Sequence, residues 1–344
     1  MADSLVLRAI RGNARRLNLN DRKINSIPKA VAQLPSLLSL QLQNNSIAAC
    51  PTELQALRRL TELNLGNNAL QELPPALGHL GSLKKLHLFG NRIAHIPAEA
   101  LEGLSNLVLL NLNHNKIETI PPGIGRLVKL QHLSLNNNGL EEVPSQLGSL
   151  KELLELHLAR NKLSHLPQEL CLLSNLTRLN LARNQLRGLP EGLHRLSRLR
   201  VMDVAGNQLK MFPVHFQQLQ LEQLHCEENP FIQKEPVESV QQEEALTLKE
   251  TTARLILREQ RCRSSVVPVL VQNPSLQALL SQAGHCAVCS QGFLSIWLEC
   301  VHFLNIKKDM KVASSSRTIP VRVLLCSYKC FNSRGHGYYG VAVS

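Results

Sequence analysis

The sequence predicts an α/β solenoid: a curved horseshoe of about ten parallel strands, followed by a C-terminal helix and a small cysteine-containing module. Three observations predict it. The pattern L-x-x-L-x-L-x-x-N-x-L recurs ten times at almost constant spacing. A proline follows the asparagine position by six residues in nine of those units. Beyond Pro230 the repeat stops and the composition shifts, with eight of the eleven aromatic residues lying there.

The units begin at Ala14, Leu37, Leu60, Leu83, Leu107, Leu130, Leu153, Leu176, Leu199 and Leu221. Their spacing is 23 residues, with one of 24 before Leu107 and one of 22 before Leu221. Within a unit, buried Leu63 and Leu65 alternate with polar Glu62 and Asn64, the period-two pattern of a strand with one buried face. A single strand of this kind cannot bury its apolar side alone, whereas stacked units share one continuous core. Asparagines 45, 68, 91, 115, 138, 161, 184, 207 and 229 follow each strand, where an amide can both donate to and accept from backbone groups of neighbouring units. The prolines, Pro28 to Pro213, fix φ on the return segment and end the strand. Parallel strands about 4.8 Å apart give a stack roughly 45 Å long. Arg22 replaces the first asparagine, so the first unit's outer edge is expected to face water.

Side chains between the strand leucines are expected on the concave face. Units four to eight place Lys85, His87, Phe89, His114, His132, His157, Arg160, Arg178 and Arg183 there, with Glu155 among them. This reads as a partner-binding patch, with Phe89 and the arginines as anchors. The histidines lie on different strands with sparse carboxylate neighbours, so they read as surface histidines rather than metal ligands. Cys50 sits before a structural proline and reads as core.

The tail divides into a Glu- and Gln-rich linker at 231–245, a helical segment at 246–280 and a cysteine-pair module at 281–344. The helix reads first as a cap on the open end of the repeats. Thr247, Leu248, Thr252 and Ile256 also match the spacing of an elongin-binding box, with threonine in place of the usual cysteine, and Val267-Pro268 downstream could open a cullin-contacting segment. Cys286-x2-Cys289 and Cys326-x3-Cys330 leave two readings open. Four thiolates can close a structural tetrahedral zinc site, or the thiols can be reduced cysteines in an apolar core. His285, Cys300 and His302 are substitute ligands for the first reading. The stretch from Leu325 to Phe331 resembles the second knuckle of treble-clef-like zinc modules.

The net charge is +12, with Lys+Arg exceeding Asp+Glu by 25 to 18 up to Pro230 and by 13 to 8 after it. Such diffuse charge favours acidic partners without specifying nucleic acid. Met1 to Ala14 carry no apolar signal region and no stretch is long enough to span a bilayer, so a cytoplasmic or nuclear, non-membrane protein with reduced thiols is expected. There is no phosphate-binding glycine loop and no nucleophile elbow, so no enzyme is expected.

The array, with stretches such as Leu63-Asn64-Leu65-Gly66-Asn67-Asn68 and Leu86-His87-Leu88-Phe89-Gly90-Asn91, resembles the intracellular leucine-rich-repeat proteins with an L/I-P-x-x-L return. Cys226-Glu227-Glu228-Asn229-Pro230, Trp297-Leu298-Glu299-Cys300-Val301 and Leu325-Cys326-Ser327-Tyr328-Lys329-Cys330 extend the resemblance through the tail. The resemblance implies a leucine-rich-repeat solenoid acting as a protein-binding scaffold or adaptor. Relatives with a similar cysteine-bearing tail look like substrate receptors of elongin–cullin ubiquitin ligases, which is the alternative function. Nucleic-acid binding ranks last, because the aromatic-poor face offers almost no stacking platform.

Overall fold

In the computed structural model of this chain, the residues described are 2–233, 246–261, 273–295 and 297–340. Most of the expected linker, from 234 onward, and the Val267-Pro268 pair lie outside them.

Ten three-residue strands form one parallel sheet in chain order: β1 Arg16–Asn18, β2 Ser39–Gln41, β3 Glu62–Asn64, β4 Lys85–His87, β5 Leu109–Asn111, β6 His132–Ser134, β7 Glu155–His157, β8 Arg178–Asn180, β9 Val201–Asp203 and β10 Gln223–His225. Equivalent residues of successive units pair, so Leu110, Leu133, Leu156 and Leu179 form part of one row across the sheet. These leucines are almost wholly buried. In eight units the proline, with φ between −56° and −70°, directly precedes a short turn of helix that carries the chain back. Seven of these turns are 3-10 helices; the eighth is α2, Ala98–Glu102, in the unit that carries the extra residue. The wider α-helical turn absorbs the insertion, and the strands on either side keep their register. Gly103, which ends α2, has no room for a β carbon, which would strike the Gly78 carbonyl oxygen of the preceding turn.

The asparagine column does the work expected of it. Asn138 donates to the carbonyls of Leu112 and Leu135, both at 3.0 Å, and accepts from the Ile117 amide at 3.1 Å. The same three bonds recur from Asn45 to Asn229. Each side chain thus ties its own unit to the preceding one and satisfies backbone groups that neither the strands nor the turns can reach. Asn138→Ala is expected to cost about 1–3 kcal/mol. An unchanged unfolding midpoint in denaturant would contradict this.

Both ends of the array carry covers that the repeat pattern does not announce. Before the first strand, α1 (Ala2–Arg11) buries Val6 and Ala9 and packs on the first return turn. Arg22 is exposed, as expected, and its amide donates to Asn45. At the other end, the free edge of β10 is covered by residues 306–317. Ala313 bridges Gln223 in parallel, donates to the Glu222 carbonyl and accepts from the Leu224 amide. The Ser315 hydroxyl donates to the Glu227 carboxylate, and the Cys226 thiol donates to Ser316. Ile306 and Val312 of this segment are buried. Residues 306–317 thus belong with the array and close its last strand. An exposed strand edge needs backbone amides and carbonyls as partners, and Ala313 supplies one of each.

The compact units interleave along the chain. The array comprises residues 1–209, 217–230 and 306–317, and the second unit comprises 210–216, 231–305 and 318–344. In the second unit, β13 (Leu298–Asn305) pairs antiparallel with β14 (Thr318–Leu325) and with β15 (Tyr338–Gly340). Phe212 extends this sheet by donating a hydrogen bond from its amide to the Pro320 carbonyl, and its ring packs 4.2 Å from Phe216 and 5.4 Å from Phe231. The hairpin of β11 (Gly284–His285) and β12 (Gly292–Phe293) brings the first cysteine pair into a tight turn. Helices α3 (Leu248–Arg261), α4 (Pro274–Leu280) and α5 (Tyr328–Phe331) complete the unit. No described helix is long and apolar enough to cross a membrane.

Candidate functional site

Register builds the sheet-face candidate. His132, Glu155 and Arg178 are direct neighbours on β6, β7 and β8, and His157 lies two residues beyond Glu155 on the same face. The Glu155 carboxylate lies 3.3 Å from His132 Nδ1, 3.4 Å from His157 Nε2 and 3.8 Å from Arg178 Nε. Burial alone would raise the Glu155 carboxyl, but the bonds to His157 and His132 outweigh it and hold it below the usual range. One unit group away, burial lowers the affinity of His87 for a proton, with nearby Glu62 opposing and Lys85 adding to the effect.

Phe89 lies half-buried over Gly66, where any β carbon would strike its ring. The glycine is thus the seat that lets the ring lie flat against the preceding unit. His114, Arg160 and Arg183 sit just past the strands, at φ of +55° to +57°, in a column that begins at Asp21, Asn44 and Asn67. Asparagine suits such a left-handed position, and longer side chains there project from the end of the strand rather than from the sheet itself. The structure therefore gathers the sequence-derived residues into two rows. Lys85, His87, His132, His157 and Arg178 stand on strands, and His114, Arg160 and Arg183 border them. Glu155 is the carboxylate that His132, His157 and Arg178 share.

Cys50 carries no chemistry that this face could use. It is half-buried on the return segment, and lost solvation pushes its thiol up to about 12.

In the second unit, the turn between β11 and β12 and the step from β14 into α5 bring two cysteine pairs together. The sulfurs of Cys286, Cys289, Cys326 and Cys330 all lie within 4.8 Å of one another. Cys326 Sγ is 3.5 Å from Cys289 Sγ and 3.6 Å from Cys330 Sγ. Ser290 at φ 59° closes the first turn by donating to the Cys286 carbonyl, and Ser327 caps α5 by accepting from the Cys330 amide. Burial would raise the Cys286 thiol, but amides of Cys289, Cys326 and Val288 bring it down to about 7. The substitute ligands fall outside this group. Cys300 is a buried core thiol raised to about 12 by desolvation, and His302 packs edge-on against Tyr338.

Beside this cluster, α3 is held by a residue the sequence did not mark. Glu250 is fully buried and accepts from Arg254 Nε at 2.6 Å, from the Leu294 amide, and from both the amide and hydroxyl of Ser295. Burial alone would raise this carboxyl, but the bonds from Arg254, Ser295 and Leu294 hold it below its ordinary value. Arg254 in turn donates to the Cys326 carbonyl at 3.0 Å. Ala253 and Leu257 face inward against Leu280, whereas Leu248 is 84% exposed and Thr247 and Thr252 are exposed with it. Ile256 is only partly buried.

Comparison with known proteins bears on the whole chain. The leucine-rich-repeat family model matches residues 12–70, 48–93, 81–140, 128–186 and 151–209. Leucine-rich repeat-containing protein 69 of Xenopus laevis is 64% identical over 344 residues, covering 100% of both chains. The human protein of the same name is 41% identical over 123 residues, 36% of this chain and 35% of that one. Among solved structures, a TDR receptor matches 66% of this chain and 45% of its own at TM-score 0.59 and 28% identity. Internalin C2 of Listeria monocytogenes matches 59% of this chain and 92% of its own at TM-score 0.52 and 28% identity. The plant peptide hormone receptor RGFR1, solved with RGF2, matches 59% and 34% at TM-score 0.55 and 31% identity. The sheet of ten parallel strands, the asparagine column and these matches agree: the chain belongs to the leucine-rich-repeat family.

Proposed function

We propose that this protein is a binding protein, a scaffold or adaptor without catalysis of its own, that takes an acidic protein segment on the sheet face of β4 to β8. One observation carries this reading. A kept strand register brings Lys85, His87, Phe89, His132, His157 and Arg178 onto one face, bordered by His114, Arg160 and Arg183, with Glu155 the sole carboxylate in those strands. A basic strip with one aromatic anchor is complementary to an acidic segment that carries an apolar side chain. The receptor RGFR1, whose fold is similar, was solved with RGF2 bound. Replacing Arg160 and Arg183 together by glutamate should weaken partner binding about tenfold or more and flatten its salt dependence. Affinity unchanged by both charge reversals would remove the proposal.

A second reading concerns α3. Leu248, Thr247 and Thr252 stand outward from a helix anchored by Ala253, Leu257 and Glu250, the arrangement a helix needs to enter a partner's groove. This supports docking to elongin, and through it a cullin ligase, as the use to which a captured protein is put. Purified elongin B–C should bind the full chain and fail to bind the Leu248→Ala variant. An elongin pair that ignores the unmodified chain would end this reading. Nucleic-acid binding stays last. Its requirement is RNA or DNA affinity that falls steeply with salt, and a flat titration at low salt would dispose of it.

A further inference from the structure

We propose that Cys286, Cys289, Cys326 and Cys330 bind one zinc ion in a closed four-thiolate site, and that this ion fixes the position of α3. The proposal is independent of which partner the sheet face takes.

Geometry carries it first. A tetrahedral zinc with four sulfurs at about 2.3 Å requires sulfur–sulfur separations of about 3.8 Å. The two closest separations here are 3.5 and 3.6 Å, and all four sulfurs fall within 4.8 Å. Cys326 of the second pair lies as close to Cys289 of the first as to its own partner Cys330, so the two pairs form one group of donors. Among the described residues, no other cluster of His, Cys, Asp and Glu donors converges in this way.

The surroundings fit the ion as well. On binding, the four thiols release their protons to solvent, and a doubly charged cation with four thiolates leaves a net charge of −2. Arg254 holds the Cys326 carbonyl, placing a guanidinium beside the site. With all four positions taken by protein, the ion has no open place for substrate, so its role is to hold structure.

What it holds is specific. The first pair belongs to the β11–β12 hairpin and the second to the end of β14 and the start of α5. The ion therefore ties the hairpin to the sheet. Cys326 is linked through Arg254 to Glu250, and Glu250 binds Leu294 and Ser295 just past β12. Gly292 of the same hairpin lies so close to Leu257 of α3 that a β carbon would meet its side chain. Without the ion, four thiols would share a small space with no strong mutual bonds. The carbonyl that Arg254 grips would then lose its fixed place.

The test uses the full chain. Elemental analysis of protein purified without chelators should give about one zinc per chain, released only as the thiols are titrated by a mercurial and read by a colorimetric zinc dye. Cobalt substituted for zinc should show the intense visible bands of a tetrahedral thiolate site. Zinc removal from the unmodified protein should raise amide exchange across 248–261 about tenfold or more while leaving β4 to β8 protected. Cys300→Ser should keep the metal, and Cys326→Ser should lose it. A folded, unmodified chain that holds no zinc and takes up no cobalt would overturn the site. Zinc loss that leaves exchange in 248–261 unchanged would overturn its link to α3.

Discussion

Replacing Glu250 by alanine is expected to destabilise the C-terminal unit by about 3–5 kcal/mol, the usual cost of stripping one partner from a buried ion pair. Its carboxylate is fully buried and bonded to Arg254, Leu294 and Ser295. Alanine would leave the Leu294 amide and the Ser295 amide and hydroxyl without that acceptor, and would remove the charge facing Arg254. Trp297 is the one tryptophan of the chain and lies close to these residues, with its ring 5.7 Å from Phe293. Its fluorescence in a denaturant titration therefore follows this unit. The pH dependence follows from the same carboxylate. Its folded value lies below the unfolded one, so its stabilisation is complete above the ordinary glutamate range, near about 4.3. That stabilisation is lost as pH falls through the depressed folded value. Glu250→Gln should remove this part of the acid dependence. A tryptophan transition that Glu250→Ala leaves in place would contradict the account.

Leu156→Ala is expected to have an effect of similar size on the array. Leu156 sits at the centre of β7, wholly buried, with Leu133 and Leu179 beside it in the same row. Truncation removes apolar contact and leaves a cavity that two rigid neighbouring units cannot fill, at a cost of about 2–5 kcal/mol. Leu156→Met, which nearly conserves volume, should cost less than about 1.5 kcal/mol. Far-UV circular dichroism, to which the ten strands contribute, should show the array unfolding at lower denaturant in the alanine variant alone. Equal midpoints for the two variants would show that the leucine row is not the array's main support.

Repetition decided what could be read from the residues alone. The strands, the asparagine bonds and the juxtaposition of His132, Glu155 and Arg178 all follow from one spacing, because a constant repeat length fixes which side chains meet across neighbouring strands. The cysteine group was legible for a different reason: paired thiols at short spacing are uncommon without a shared purpose. Features made once were not legible. The α1 cover is a single amphipathic helix with no second copy to mark it. Residues 306–317 close the β10 edge chiefly through backbone bonds at Ala313, and backbone bonds leave little trace in residue type. Phe212 reads in sequence as part of the last full repeat, yet its amide and carbonyl serve β14. Glu250 looks like any helix glutamate until its five hydrogen bonds are seen.

Affinity capture with the full chain, beside Arg160→Glu/Arg183→Glu and Leu248→Ala variants, tests the binding reading most directly. Bound proteins would be identified by mass spectrometry and the interactions remeasured with purified components. The account predicts an acidic partner retained by Leu248→Ala and lost with the double charge reversal. A partner that survives the charge reversal and disappears with Leu248→Ala would contradict it, moving the protein's recognition surface from the sheet face to α3.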